Sequence, residues 1–205
     1  MHRINTKKQN AEQTKMKYLE SEFIDFKRDI NPDLLFDSLE AMLILMKDQP
    51  EKAEELLDLF ATVYRYLLAS RFKEVVDIVE ELEISDALIS LYEHLPFQKV
   101  RLNHTISESY RIVPGSILII IERIIRSCIH IPKSTLEISL ECLEDQFKIS
   151  YVHQEKLRTE LTQEDLQNID RKYGFYTDSP VSLSIIDSMK TITLPKLHIH
   201  ESSHH

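Results

Sequence analysis

The chain has 205 residues, of which 42% are hydrophobic and 29% charged, a composition typical of one or two globular domains. Its net charge of −9 argues against nucleic acid as a partner, because binding phosphates requires basic surfaces. The N-terminus lacks the apolar core of a signal peptide, and the apolar stretch 112–131 is interrupted by charged residues. We therefore expect a cytoplasmic protein that does not insert into a membrane.

Residues 1–14 are charged and amide-rich, so we expect a flexible N-terminus. Apolar residues then recur every three or four positions over residues 15–95, which predicts amphipathic helices. Pro32 should kink a helix or begin a new one, and residues 48–51 should end that helix and start the next. With a third helix over 76–94, this segment is predicted to be a helical hairpin followed by one more helix.

The period changes after residue 96, where apolar and polar residues alternate as in half-buried strands. Strands are predicted at 100–106, 136–141, 147–152, 181–186 and 190–194, with helices at 114–130 and 162–173. This order predicts an α+β domain with a mixed sheet over residues 96–197. The tail 198–205 is expected to be flexible, and its four histidines lack the further ligands of a closed metal site, so we expect no metal.

Residues 30–39 read I-N-P-D-L-L-F-D-S-L and closely resemble the phosphoacceptor motif I-N-P-H-F-L-F-N-S-L of LytS/YehU-type sensor histidine kinases. Residues 50–53, 64–68, 79–84 and 192–195 are similar to further segments of that family, in the same order. The resemblance implies a dimerising helical hairpin followed by a reduced GHKL (Bergerat-like) α/β sandwich.

The departures from the family pattern affect the residues that perform the family's reaction. By the resemblance, Asp33 stands where the family has its phosphorylated histidine, and Asp37 stands where it has asparagine. Glu122 and Arg123 fall on the V-E-N nucleotide box, with Arg126 one turn further on. Arg123 replaces a magnesium-binding asparagine, and a guanidinium offers only donors. The chain has only two glycines, so a glycine-rich lid over ATP phosphates is absent.

The resemblance and its departures lead us to expect a degenerate histidine kinase that binds neither ATP nor magnesium. It would be a pseudokinase in two-component signalling, forming a homodimer or pairing with an active sensor kinase or a response regulator. The predicted interface is the apolar stripe of the hairpin: Leu35, Leu39, Met42, Leu43, Leu56, Phe60, Val63 and Leu67. Two alternatives remain open, a residual nucleotide-dependent kinase activity and a small-molecule sensor that uses the vacated pocket.

Two acidic features have simpler interpretations. Asp33 could accept a phosphoryl group itself, or its fixed charge could mimic a phosphorylated state, but a solvated carboxylate near a helix start is the default. The pair Glu80 and Glu81 is interpreted as an ordinary solvated helix face.

Overall fold

The computed structural model describes residues 32–97, 99–106, 109–131 and 133–197. The predictions for residues 1–31, which include the flexible N-terminus and the helical pattern before Pro32, lie outside the described residues. The prediction of a flexible histidine-rich tail at 198–205 does so as well. Within the described ranges, no helix is both long enough and apolar enough to cross a membrane.

Two helices, α1 (Pro32–Asp48) and α2 (Pro50–Ser70), pack against each other across a junction at Gln49. A proline opens each helix, where its missing N–H costs no internal hydrogen bond. The carbonyl of Gln49 accepts hydrogen bonds from the N–H groups of Lys52 (3.1 Å) and Ala53 (3.2 Å), which starts α2 directly after α1 ends. The helix boundary predicted at 48–51 is therefore where the structure has it.

A five-stranded mixed sheet follows. Its strands are β2 (Lys99–His104), β4 (Thr135–Cys142), β5 (Gln146–Val152), β6 (Ser182–Ile186) and β7 (Met189–Pro195). They lie side by side in the order β2-β4-β5-β7-β6. β2 and β4 are parallel, and the other neighbours are antiparallel. The parallel pair requires a crossover, which contains helix α4 (Ser116–Ser127). The α+β class and the mixed sheet are thus confirmed.

One face of the sheet and helix α4 form the core. Every second residue of β4, β5 and β7 points to this face, as the alternating pattern predicts. The buried residues are Leu136, Ile138, Leu140, Phe147, Ile149, Tyr151, Ile192 and Leu194 from the sheet, with Ile117, Leu118, Ile120, Ile121, Ile124 and Ile125 from α4. These residues belong to one hydrophobic cluster, so α4 contributes to the same core as this face of the sheet.

Helix α3 (Ile78–Glu93) begins two residues later than predicted, because Val76–Asp77 forms a short strand, β1, paired with β3 (Arg111–Ile112). The carboxylate of Asp77 caps α3 by accepting a hydrogen bond from the N–H of Val79 at 2.9 Å. α3 packs against α2, α4 and β2, so it joins the first two helices to the sheet domain.

The helix predicted over 162–173 is instead a 3-10 turn (Glu164–Leu166) followed by helix α5 (Gln167–Tyr173). The carboxylate of Asp165 accepts hydrogen bonds from both the N–H (2.9 Å) and the hydroxyl (2.8 Å) of Thr162. These contacts close a tight turn ahead of the α-helix. The helix predicted over 114–130 is shorter than expected, because Gly115 precedes it with a left-handed backbone (φ 78°) and Cys128 after it is extended.

Candidate functional site

A cleft of about 540 Å³ lies between the first two helices, helix α4 and the segment 156–165. Its apolar lining comes from residues such as Val63, Leu88 and Phe97. Charged side chains line it as well: Asp33, Glu122, Arg123, Arg126, Lys156, Arg158, Glu160 and Asp165. Four residues that the resemblance singled out, Asp33, Glu122, Arg123 and Arg126, therefore lie around one cleft.

Arg126, in the last turn of α4, is the centre of this charged group. Its Nη2 lies 2.6 Å from Oδ2 of Asp33, in the first turn of α1. Its Nη1 lies 3.7 Å from Oδ2 of Asp37, and its Nε lies 3.7 Å from Oε1 of Glu122. One guanidinium therefore meets three carboxylates and ties α1 to α4, a link between residues 93 positions apart for which the sequence carries no pattern.

Glu122 is also bound by Tyr92, whose hydroxyl donates to its Oε1 at 3.2 Å. Burial, together with the charge of Glu122, raises the pKa of Tyr92 well above its usual value, so this hydroxyl stays protonated and remains a donor. Nη1 of Arg126 is buried and has no hydrogen-bond partner among the described residues, Asp37 being its ionic neighbour at 3.7 Å.

Arg123 is paired with Asp165, whose Oδ1 lies 2.8 Å from the arginine Nη1. Both side chains line the cleft. The position that the resemblance assigns to a magnesium-binding asparagine therefore carries a cation with a carboxylate partner, and it offers no acceptor to a metal.

Residues 153–161, which follow strand β5, are fastened by Glu155. Its buried carboxylate accepts hydrogen bonds from Lys190 Nζ (2.6 Å), the Tyr151 hydroxyl (2.6 Å) and the Ser127 hydroxyl (2.8 Å). The side chain of Lys190 is also fully buried. Burial alone would raise the pKa of Glu155, but these donors outweigh it and hold the pKa below its usual value. The sequence pattern did not single out Glu155 or Lys190.

The loop is also bound to the end of α4 through its backbone. The N–H of Lys156 donates to the carbonyl of Ser127 at 2.8 Å, and the N–H of Ile129 donates to the carbonyl of Gln154 at 2.8 Å. This segment therefore forms a fixed wall of the cleft.

His153, Glu155 and Glu160 have ligand atoms close enough together to hold a metal ion. However, the ammonium of Lys190 lies 2.6 Å from Glu155 and 3.5 Å from Glu160. A cationic side chain already neutralises these carboxylates, and it would repel a divalent ion. The cluster is better explained as a buried ion-pair network than as a metal centre.

The interpretation of Glu80 and Glu81 as a solvated face is wrong for Glu81, which is fully buried. Its carboxylate accepts hydrogen bonds from the N–H groups of Ile117 (2.8 Å), Leu118 (3.0 Å) and Gly115 (3.2 Å) at the N-terminus of α4. Burial raises the pKa of Glu81 to about 7, and these donors offset part of that effect. Helical periodicity could not find this residue, because a glutamate on a helix is usually exposed.

The residues predicted to form a dimer interface fall into three groups. Leu39 and Leu43 are exposed to solvent, and the exposed fraction of Leu43 is 67%. Leu35, Phe60 and Leu67 are partly buried. Met42, Leu56 and Val63 are buried within the chain itself, where they pack the core between the helices. Phe36 and Met46 are exposed and extend the surface of Leu39 and Leu43 along α1.

Comparison with known proteins relates the first part of the chain to a family. Residues 21–105 match the family model described as histidine kinase, which is less than half of the chain but includes the segment around Asp33. This match supports a relationship to the histidine kinases. No curated protein matches the chain.

Several solved structures are distantly similar. Histidine kinase AdeS of Acinetobacter baumannii is 16% identical, with 75% of this chain and 83% of that chain covered and a TM-score of 0.41. A bacterial phosphotransferase is 8% identical, with 83% and 95% covered and a TM-score of 0.44. The cytoplasmic segment of histidine kinase QseC is 14% identical, with 73% and 95% covered and a TM-score of 0.40. Similarity at this level says nothing about function.

Proposed function

We propose that this protein is a histidine-kinase-like signalling protein of the LytS/YehU type that no longer performs the kinase reaction. It acts in a two-component-type pathway through contacts with other proteins. The observation that carries this proposal is the 2.6 Å ion pair between Asp33, at the acceptor position, and Arg126, on the nucleotide-site-equivalent helix. A kinase would need a nucleophile facing a phosphoryl donor here. In this chain a carboxylate is bound to a guanidinium instead. A structural ion pair therefore takes the place of both the nucleophile and the phosphoryl donor.

Two further contacts support the loss of nucleotide chemistry. Arg123 is bound to Asp165 where the resemblance calls for a magnesium ligand. The segment 153–161 is fastened through the buried Glu155, whereas a glycine-rich lid must fold over phosphates with its backbone N–H groups. Among the described residues around the cleft, these contacts leave neither a metal nor a triphosphate the partners it would need.

The exposed apolar stripe of α1 supports a role in protein contacts. Phe36, Leu39, Leu43 and Met46 follow one another at helical spacing on the surface. A second pair of helices packed on this stripe would complete a four-helix bundle and remove the apolar surface from water. The second pair would come from another copy of the chain, and an active sensor kinase or a response regulator would use the same surface.

The test is a calorimetric titration of the purified chain with ATP, with and without magnesium, using an active histidine kinase as the positive control. We expect no saturable heat and no change in melting temperature at millimolar nucleotide. Magnesium-dependent saturable binding would contradict the proposal and would favour the residual kinase activity. The variant Arg123→Asn provides a second comparison, and we expect it to remain unable to bind because the lid is still absent.

A second function, the sensing of a small molecule, is favoured by the cleft itself. Its volume of about 540 Å³ lies within the range of ligand sites, and it combines apolar walls with charged groups. The buried Nη1 of Arg126 has no hydrogen-bond partner among the described residues, and three carboxylates already surround its guanidinium, so it would suit an uncharged acceptor such as a carbonyl oxygen. Screening small uncharged amides and ketones by thermal shift, with Arg126→Gln as the control, would detect this. A hit that persists in the variant would rule out Arg126 as its binding group.

A further inference from the structure

Strand β6 forms an open edge of the sheet. β7 pairs with one side of it, and within the described ranges no strand pairs with the other side. The opposite edge strand, β2, carries Lys99 and Arg101, and such charges discourage pairing with another chain. β6 has the sequence S-L-S-I-I and contains no charged residue and no proline. Charged residues therefore protect β2 against pairing with another chain, whereas β6 has no such protection.

The hairpin geometry identifies the backbone groups at this edge. β6 and β7 are joined by Asp187 and Ser188, whose φ values of 48° and 67° are typical of a type I′ turn. In such a hairpin, Ile186 and Met189 flank the turn and exchange hydrogen bonds with each other. Every second residue back along β6 likewise directs its N–H and C=O groups to β7. The N–H and C=O groups of Leu183 and Ile185 consequently point to the open side.

The surface beside this edge is apolar. Val152, Met189 and Ile186 are directly opposite one another across three strands, and all three are exposed, Ile186 by 68%. Ile185 is also exposed. An uncharged strand edge next to exposed apolar side chains is the surface to which another β-strand adds.

We propose that β6 pairs antiparallel with β6 of a second copy of this chain, about a two-fold axis at Ser184, so that the two sheets become continuous. In this register Leu183 faces Ile185 of the second copy. The open N–H and C=O groups of each residue then bond to those of the other, so one edge supplies both the donors and the acceptors that its copy requires.

This edge is where the charge distribution least opposes a second copy. Each copy carries a net charge of −9, so two copies repel each other over most of their surfaces. β6 is uncharged, and in the proposed register Asp187 would face Val181 of the second copy, so no like charges meet across the axis. This contact differs from the helical interface proposed above. A chain using both would assemble into open-ended rows.

Oxidative cross-linking of single-cysteine additions to the full chain tests the register. Ser184 would lie opposite itself across the axis, in a pair whose Cα atoms are about 4.5 Å apart, within the range for a disulfide. Ser184→Cys should therefore form a covalent dimer on mild oxidation. Ser182→Cys is the matched control, since Ser182 lies on the same strand, is also exposed and would face Ile186 of the second copy. The native Cys128 and Cys142 are present in both variants and in the unmodified chain.

We expect the dimer band of Ser184→Cys to form much faster than that of Ser182→Cys at the same protein concentration. Adding Ile185→Lys should slow cross-linking, and adding Leu43→Glu on α1 should leave it unchanged. Equal rates for the two cysteine variants would indicate random collision and overturn the proposal, as would the absence of a dimer in both. Loss of the cross-link with Leu43→Glu would also overturn it, because the contact would then depend on the helices.

Discussion

Replacing Lys190 by methionine tests the buried ion pair that fastens the wall of the cleft. Methionine preserves most of the volume of the side chain and removes the charge that lies 2.6 Å from Glu155. Glu155 would keep its bonds from Tyr151 and Ser127 but lose its cation inside the protein. The perturbation therefore isolates the electrostatic part of this contact.

The expected cost is large because both side chains are fully buried and solvent does not screen them. Breaking one partner of a buried pair costs about 3–5 kcal/mol, since the remaining charge is left uncompensated. For a domain of this size, a change of that magnitude lowers the melting temperature by roughly 6–20 °C.

The contribution of Glu155 to the pH dependence of stability should change sign as well. The pKa of Glu155 lies below its ordinary value of 4.5, so its stabilising effect is present above pH 4.5 and is lost as the pH falls through the lower folded pKa. Without Lys190, burial would dominate and raise this pKa. The variant should then lose stability as the pH rises, because ionising Glu155 becomes unfavourable.

Urea denaturation followed by circular dichroism at pH 5 and pH 8 measures both effects as the difference between Lys190→Met and the unmodified chain, because the slope that Glu81 contributes is common to both. Lys99→Met, on the exposed edge strand β2, is the matched control and should change the free energy of unfolding by less than about 1 kcal/mol. The double variant Lys190→Met/Glu155→Gln should recover part of the loss, because no charge is left buried. A Lys190→Met protein as stable as the unmodified chain would refute the reasoning.

Three further predictions concern other residues. Because Glu81 has a raised pKa of about 7, stability should fall as the pH rises from about 5 to 8, by on the order of 3 kcal/mol, and Glu81→Gln should remove this slope in urea melts. Leu43→Glu should lower the dimer fraction in sedimentation experiments, whereas Phe72→Glu, at a residue 92% exposed after α2, should not. Arg126→Gln should increase amide hydrogen exchange in the first turn of α1 and cost about 1 kcal/mol or less, since Asp33 is largely exposed. Unchanged exchange would contradict the link between α1 and α4.

The proposed interface and the structure agree only in part. An apolar stripe at helical spacing indicated that α1 and α2 each bury one face, and both helices are present. Periodicity did not indicate what covers that face. Met42, Leu56 and Val63 are covered by the chain itself, while Leu43 remains open to another molecule. The exposed residues are accordingly the better positions for testing a dimer.

The amino-acid sequence by itself determined the local structure of this protein. Prolines at 32 and 50 placed helix starts, and period-two alternation placed the strands, because both effects depend on near neighbours in the chain. Only the tertiary structure decided which charges are buried and which meet. Arg126 contacts Asp33 from 93 residues away, and Glu81 becomes fully buried because α4 places its N-terminus against it. Such contacts depend on how elements pack, and the spacing of residues along the chain carries no record of that packing.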